Sequence, residues 1–250
     1  MSVSGKFVWY ELMTTDTEAA ERFYGSVIGW TTVDVGQGAY WSFNTDKGGV
    51  AGLLATPPEA AGAPPVWLGY VGVDDVDDYV GRFTAAGGTV HRPPADIPGV
   101  GRFSVVADPQ GAALVLFKPT GGGEVPAADA PGYPAWRELM AVDGTIAVNF
   151  YEKMFGWEKT AAFDMGPMGK YHLFGYDGAD RGGIMTKPDF IPVPYWGYYF
   201  RVDAIGAAVE RLKAGGGQVT NGPHQVPTGD WIVQATDPQG AHFALMSPTP

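Results

Sequence analysis

The stretch Trp9-Tyr10-Glu11-Leu12-Met13 organises the sequence, and it recurs as Trp136-Arg137-Glu138-Leu139-Met140. Each copy is followed by an Asp, by a helix-like run with a Phe-Tyr pair, and by Gly-Trp, at Gly29-Trp30 and Gly156-Trp157. The matched residues are 127 positions apart throughout, so the stretch is duplicated without insertion. A repeat sets the unit that folds, and the fold is therefore argued from one copy.

The first copy begins as a strand over residues 6–14. Alternate side chains of a strand share a face, which places Trp9 and Glu11 on one side and Tyr10 and Leu12 on the other. An Asp caps the helix that follows and a Gly ends it. Further strands, two of them recognisable over residues 38–43 and 49–54, complete a β-α-β-β-β unit of about 55 residues, close to the size of a supersecondary repeat.

A second unit of the same order begins at residues 66–73 and ends after the turn Asp108-Pro109-Gln110-Gly111. The second half of the chain repeats both units, and a segment rich in Pro, Gly and Ala lies between the halves. The sequence therefore predicts an α+β fold of four β-α-β-β-β units. They are expected to form two modules, residues 1–120 and 132–250, joined by a linker at 121–131.

The composition limits the classes of function. The chain has 250 residues, 45% of them apolar, which is typical of a globular protein. Its net charge of −11 and pI of about 4.6 argue against nucleic acid and anionic membrane as partners. No apolar run reaches the length of a bilayer span and no signal-peptide core is present, so a cytoplasmic location is expected. The chain has no Cys, which excludes disulfides, thiolate metal sites and Cys nucleophiles.

The order of these motifs resembles the glyoxalase, bleomycin-resistance and extradiol-dioxygenase superfamily, also called vicinal oxygen chelate proteins. The resemblance rests on the duplicated stretch, on Val-Asp at Val73-Asp74 and Val202-Asp203, and on Asp-Pro-Gln-Gly at 108–111 and 237–240. It covers nearly the whole chain outside the linker. It implies that two β-α-β-β-β units curve into a cup, with the site on the concave face and the helices on the convex side.

The resemblance also implies where a metal would bind. Family members with a metal place a His on the first strand of a unit and a Glu after the Asp-Pro-x-Gly turn. The matching positions hold Trp9, Leu68, Val115, Trp136, Gly197 and Ala244. None of these side chains can bind a divalent cation, which needs imidazole, carboxylate or thiolate. No cofactor is therefore expected, with a divalent metal at a relocated site as the alternative.

Two glutamates and two tryptophans are expected inside the cups. Glu11 and Glu138 lie two residues beyond the vacated positions on the same face. A carboxylate facing an aromatic cup is costly unless it is paired. It can serve as a general base, or it can accept hydrogen bonds that fix the strand. Trp9 and Trp136 fill the space of the metal, form a wall for a flat or apolar ligand, or do both.

Two tyrosines share the inward face of later strands. Tyr70 and Tyr199 each follow a vacated position by two residues, and each can offer its hydroxyl to a ligand or bond within its own sheet. Arg137 falls on the helix face of its strand. We expect its stem to lie along apolar surface and its guanidinium to reach solvent.

Histidines distinguish the second half from the first. His242 lies two residues before Ala244 and is expected in the second cup, and His172 stands where the first half has Trp41. With Glu138, these imidazoles can form a relocated metal site or an acid/base site. The second half is therefore expected to carry the activity and the larger pocket, with Glu138 and His242 as catalytic residues and with a lining of Trp136, Glu138, Tyr199 and His242.

Three functions follow. The first is a protein of the glyoxalase and bleomycin-resistance type that lacks the family's metal ligands and binds a small, partly apolar molecule, with non-metal acid/base chemistry as an option. The second is a metal-dependent lyase or oxygenase that uses His242, Glu138 and His172. The third is a non-catalytic interaction protein. Catalysis is left open, and an enzyme would be a glyoxalase-like lyase, isomerase or oxygenase. The expected partner is a small molecule, without nucleic acid or membrane, and the chain is expected to be a monomer or a homodimer.

Overall fold

The computed structural model describes residues 3–36, 38–121 and 130–250. The order of strand, helix and three strands occurs four times. The first half contains β1 (Phe7–Thr14), α1 (Thr17–Ile28), β2 (Thr31–Asp34), β3 (Trp41–Thr45), β4 (Gly48–Ala55), β5 (Val66–Gly72), α2 (Val76–Ala85), β6 (Thr89–Ile97), β7 (Gly101–Ala107) and β8 (Ala113–Pro119). The second half contains β9 (Pro134–Ala141), α3 (Gly144–Phe155), β10 (Glu158–Asp164), β11 (Lys170–Tyr176), β12 (Ala179–Thr186), β13 (Tyr195–Arg201), α4 (Ile205–Ala214), β14 (Gln218–Gln225), β15 (Trp231–Thr236) and β16 (His242–Ser247). Short 3₁₀ turns occur at Pro58–Ala60 and Gly166–Met168.

The strands form two eight-stranded sheets, one from each half of the chain. Their orders are β2-β3-β4-β1-β5-β8-β7-β6 and β10-β11-β12-β9-β13-β16-β15-β14. The first strand of a unit pairs in parallel with the last one, as β1 with β4 and β9 with β12, whereas hairpin neighbours are antiparallel. The predicted α+β fold of four β-α-β-β-β units is confirmed.

The helices that follow the two copies of the stretch begin and end at the residues that the sequence predicts. Asp16 accepts the backbone N–H of Ala19 at 2.9 Å, and Asp143 accepts that of Ile146 at 2.9 Å. These bonds satisfy amides that the first turn of a helix leaves without an intrahelical partner. Gly29 and Gly156 end the helices with φ of 93° and 74°, in the left-handed region that favours glycine.

The chain divides into two compact units that each combine parts of both halves. The first unit includes the chain from Leu68 through β8 together with Trp136–Trp196. The second includes Trp9–Trp67 and Gly197–Pro250. The predicted modules, 1–120 and 132–250, stay a prediction, and most of the predicted linker at 121–131 lies outside the described residues.

A buried aspartate organises the first compact unit. The Asp108 carboxylate accepts the Tyr151 hydroxyl at 2.9 Å and the backbone N–H groups of Gln110 and Ala112 at 2.8 and 3.0 Å. The Tyr151 hydroxyl also accepts Trp196 Nε1–H at 3.2 Å. Burial raises the pKa of Asp108, against the opposing effect of these donors. The Asp-Pro-Gln-Gly segment is therefore an anchor for α3 as well as a hairpin turn.

The second compact unit repeats this arrangement. Asp237 accepts the Tyr24 hydroxyl at 3.0 Å, and the hydroxyl accepts Trp67 Nε1–H at 2.9 Å. The backbone N–H groups of Gln239 and Ala241 complete the shell at 3.0 and 2.9 Å. Burial, followed by the charge of Asp237, raises the pKa of Tyr24 well above its usual value. The helix tyrosine therefore stays a neutral donor to the carboxylate.

Among the described residues, no helix has the length and apolar character needed to cross a membrane.

Replacing Tyr151 with Phe tests the anchor. The change removes the Tyr151 hydroxyl from Asp108 Oδ2 and from Trp196 Nε1, while the backbone N–H groups still bond Asp108 Oδ1. Each buried group left unsatisfied costs about 1–3 kcal/mol. We expect the free energy of unfolding to fall by about 2 kcal/mol or more in denaturant titrations. Tyr79→Phe is the control, since Tyr79 is only half-buried and stacks on Phe155. Equal losses in the two variants would show that the Tyr151 hydroxyl contributes nothing specific.

Candidate functional site

Strand alternation separates two faces of each sheet. On β1, Tyr10 and Leu12 are buried in the core, whereas Trp9 and Glu11 on the opposite face are half-buried. The Tyr10 ring packs edge-on against Tyr198 with centroids 5.2 Å apart. The predicted alternation is therefore present. We call the side that carries Trp9 and Glu11, or Trp136 and Glu138, the cup face, and the other side the helix face.

Arg137 on β9 departs from expectation. It is only 5% exposed, and its guanidinium carbon lies 5.7 Å from the centroid of the Phe7 ring. The expectation that the guanidinium reaches solvent is wrong. The helix face of β9 lies inside an aromatic core, and an arginine there gains more by stacking on a ring than an ammonium does.

A Trp–Tyr–Glu triad occupies the cup face of each half. In the second half, Trp136 Nε1–H donates to the Tyr171 hydroxyl at 2.9 Å, which donates to Glu138 Oε1 at 2.9 Å. In the first half, Trp9 Nε1–H donates to the Tyr40 hydroxyl at 3.0 Å, which is hydrogen-bonded to Glu11. In each half the tryptophan thus fixes a tyrosine, and the tyrosine fixes the glutamate.

Electrostatics keep the central tyrosines neutral. Burial raises the pKa of Tyr171 well above its usual value, and the charge of Glu138 raises it further. Burial and then Glu11 raise the pKa of Tyr40 in the same way. A neutral phenol keeps its proton for the carboxylate, so each triad ends on a glutamate that accepts a fixed hydrogen bond.

A glycine on the strand between them makes room for each tyrosine. Gly183 on β12 lies between Glu138 on β9 and Leu173 on β11. A Cβ at Gly183 would overlap the Tyr171 ring, and one at Gly52 would overlap the Tyr40 hydroxyl. The tyrosine therefore crosses the middle strand to reach the glutamate, which needs glycine at that position.

Tyr195 adds a second phenol in the second half. It is half-buried at the start of β13, and burial together with the charge of Glu138 raises its pKa to about 12. Its counterpart in the first half is Val66, which has no titratable group. The sequence reasoning missed Tyr195, although it lies two residues before Gly197 on the same strand face.

The sequence reasoning also missed Tyr40 and Tyr171. The offset of 131 that matches Trp41 with His172 matches Tyr40 with Tyr171 and Gly52 with Gly183. The repeat therefore indicated the triad through Tyr171, the residue directly before His172.

His172 does not join Glu138 on the cup face. Its strand partner is Ile184, which pairs in turn with Leu139 on the helix face. Its Nε2 lies 3.3 Å from Thr145 Oγ1 on α3. The expectation that His172 points into the second cup is corrected, because the strand residue that faces Glu138 is its neighbour Tyr171.

The other predicted residues lie on their own strands. His242 is exposed at the start of β16, and partial burial lowers its pKa while Asp237 opposes the shift. The buried Tyr199 hydroxyl accepts Gln234 Nε2–H at 2.7 Å, and Tyr70 packs edge-on against Phe117 at 5.7 Å. Glu138 belongs to the first compact unit and His242 to the second. The catalytic role of His242 and the ligand-binding roles of Tyr199 and Tyr70 stay predictions.

Cavities of about 200 and 280 Å³ lie elsewhere, beside Trp41 and beside Arg102. Neither is lined by the residues expected to form the larger pocket, and over Gly183 the Tyr171 ring occupies the space. Trp136 and Tyr171 are both half-buried, so part of each residue reaches the surface. The cup face of the second half therefore offers an aromatic surface with a carboxylate at its centre.

The side chains at the positions where the resemblance implies metal ligands do not fit a divalent cation. These six positions carry indole, aliphatic or glycine groups. In the part of the chain that the structure describes, no group of three or more His, Asp or Glu side chains is placed to hold a metal ion. A cation bound through side chains at these positions would lack ligands.

The chain belongs to the Glyoxalase/Bleomycin resistance protein/Dioxygenase superfamily, whose sequence model matches residues 6–116 and 138–245. "Putative glyoxylase CFP32" of Mycobacterium tuberculosis is 35% identical over 248 residues, which cover 97% of this chain and 94% of the relative. "Anthracycline biosynthesis protein DauV" of a Streptomyces species is 31% identical over 263 residues, with 97% and 93% covered.

Solved structures share the fold at low identity. The Mn(II)-bound glyoxalase from Novosphingobium aromaticivorans aligns with a TM-score of 0.66 and 18% identity, covering 100% of this chain and 84% of that one. Homoprotocatechuate 2,3-dioxygenase from Brevibacterium fuscum, in complex with 3,4-dihydroxyphenylacetate, aligns with a TM-score of 0.67 and 15% identity, covering 98% and 80%. At these identities the likeness shows the fold alone.

Replacing Gly183 with Ala tests the triad. The added Cβ pushes the Tyr171 ring away from Glu138, and we expect a loss of about 1–3 kcal/mol in stability with a changed near-UV circular dichroism spectrum. Gly52→Ala should act in the same way through Tyr40. Gly81→Ala is the control, because a Cβ there meets open space on α2, and it should stabilise the protein by up to about 1 kcal/mol. An unchanged spectrum in Gly183→Ala would contradict the packing of Tyr171.

Proposed function

We propose that the protein binds a small, flat, partly apolar molecule on the cup face of its second half, without the family's metal. The observation that carries this proposal is the state of Glu138. It is only 8% exposed, yet its hydrogen bond comes from a tyrosine that Trp136 holds in place. Trp136 and Tyr171 thus hold the Glu138 carboxylate in place, whereas other members of the family use a metal.

The triad suits a ligand with both an apolar plane and a polar group. The exposed parts of Trp136 and Tyr171 provide aromatic contact area. The Glu138 carboxylate accepts a hydrogen bond from a ligand hydroxyl or N–H, and a charged acceptor in a poorly hydrated site makes a strong bond. A ligand with a hydroxyl on an aromatic ring satisfies both requirements.

Glu138 and Tyr195 also support proton transfer. A bound ligand with an acidic C–H next to a carbonyl can lose that proton to the Glu138 carboxylate. The electron pair of the broken bond moves to the carbonyl oxygen, where the Tyr195 hydroxyl donates a hydrogen bond. A pKa of about 12 keeps Tyr195 protonated at neutral pH, as this role requires.

The relatives support the class of ligand. Two Streptomyces relatives are named for anthracycline biosynthesis, and anthracyclines are flat, fused-ring molecules with ring hydroxyls. The metal-dependent alternative would use His242, Glu138 and His172, but His172 and Glu138 lie on opposite faces of the sheet. The proposal therefore takes the triad rather than the histidines as the site.

Tryptophan fluorescence tests the proposal with two probes, alizarin (a fused-ring hydroxyanthraquinone) and catechol, in the presence of excess EDTA. We expect alizarin to bind, and Glu138→Gln and Trp136→Phe each to weaken binding about tenfold, which corresponds to about 1.4 kcal/mol. The matched variant Glu11→Gln in the first half and the variant His242→Ala should have much smaller effects.

Two outcomes would contradict the proposal. If the affinity falls only with Glu11→Gln, the working half is the first one. If binding disappears in EDTA and returns with added Mn²⁺ or Zn²⁺, the site depends on a metal.

A further inference from the structure

We infer that the β10–β11 hairpin extends the second site into a surface for several fused aromatic rings, with Phe163, Met165 and Met168 as specificity-determining contacts. This inference deepens the proposed function and rests on it. It also predicts that the two halves select ligands of different width.

Phe163 lies on the same face of the sheet as the triad. On the antiparallel pair of β10 and β11, Phe163 lies directly opposite Tyr171, so the two side chains share a face of the sheet. Tyr171 belongs to the triad on the cup face. Phe163 is therefore a cup-face residue that the motif search did not identify.

The β10–β11 hairpin exposes apolar side chains to solvent. Every residue of β10 is exposed, Phe163 to 50%. Met165 and Met168, in the turn that follows, are 40% and 49% exposed. Apolar side chains that are grouped at the edge of a candidate site are typical of a surface that a ligand covers. Methionine adapts its shape to such a ligand because its side chain is unbranched and polarisable.

The distance between Phe163 and Trp136 exceeds the width of one aromatic ring. The strands lie in the order β10-β11-β12-β9, and the register places Phe163 level with Met140 on β9, four residues along the strand from Trp136. About 14 Å across the sheet and about 13 Å along it, about 20 Å in all, therefore separate the Cα atoms of Phe163 and Trp136. The Tyr171 ring crosses β12 over Gly183 and occupies the middle of this span. A single ring covers only part of this span, whereas a fused-ring ligand that lies along the Tyr171 ring extends from Phe163 toward Trp136.

The first half differs from the second at the position of Phe163. There Val35 takes the place of Phe163, because its N–H bonds the Tyr40 carbonyl oxygen at 3.1 Å. The strand β2 has 4 residues and β10 has 7. The second half gains a bulge between Lys159 and Ala161, and seven residues lie between Phe163 and Tyr171 where four lie between Val35 and Tyr40. Both methionines belong to this longer connection. The triad is duplicated, but the extended apolar surface is not.

The affinity ratio of alizarin to catechol tests the inference. Phe163→Ser should weaken alizarin binding about fivefold to tenfold, as expected when burial of a half-exposed aromatic ring is lost, and leave catechol within about twofold. Phe163→Leu should restore most of the alizarin affinity. The control is Phe190→Ser, because Phe190 is 84% exposed and lies outside the hairpin. The double variant Met165→Ser and Met168→Ser should lower the ratio in the same direction.

Other outcomes would overturn the inference. They are equal losses for both probes, an unchanged ratio in Phe163→Ser, or a change in molar mass by light scattering, which would indicate that a second copy of the chain pairs along the β10 edge. Failure of the proposed function looks different. In that case Glu138→Gln leaves both affinities unchanged while Phe163→Ser still lowers the ratio, so the hairpin surface would stand without the carboxylate.

Discussion

Each compact unit depends on a hydrogen bond from a helix tyrosine to a buried turn aspartate, Tyr151 to Asp108 and Tyr24 to Asp237. A carboxylate removed from water is tolerated only when donors surround it, and here two backbone amides and a phenol do so. A tryptophan indole fixes the phenol in turn. The bond holds the helix against one face of its sheet, and the opposite face is the cup face.

The same chemistry serves a different purpose on that opposite face. A Trp, a Tyr and a carboxylate again form a chain, but the carboxylate is now a Glu on a strand of the cup face. A middle-strand glycine decides whether the tyrosine can reach it. Both halves keep this triad, and they differ in what surrounds it. Tyr195 and Phe163 stand beside the second triad, where the first half has Val66 and Val35.

Much of the fold was predictable from local signals, whereas much of the site was not. Strand alternation placed Trp9 and Glu11 on one face, and the Asp and Gly signals placed the ends of α1 and α3. Pairing between strands is a long-range property: β11 pairs with β12, and β12 with β9, so that His172 lies in line with Leu139 on the helix face, and no local pattern marks this alignment. The sequence reasoning therefore chose His172 for the cup face instead of Tyr171. The prediction for Arg137 failed for a related reason, since the Phe7 ring that its guanidinium contacts lies far away in the sequence.

The central claim is that Glu138 takes over the recognition role that the family gives to a metal. Carbon-13 NMR of protein labelled at the glutamate side-chain carboxyls, with Glu138 assigned by its loss in Glu138→Gln, tests it most directly. In EDTA, addition of alizarin should shift the Glu138 signal and leave that of the exposed Glu210 unchanged. A Glu138 signal that does not move on alizarin binding, or that moves only after a divalent metal is added, would contradict the account.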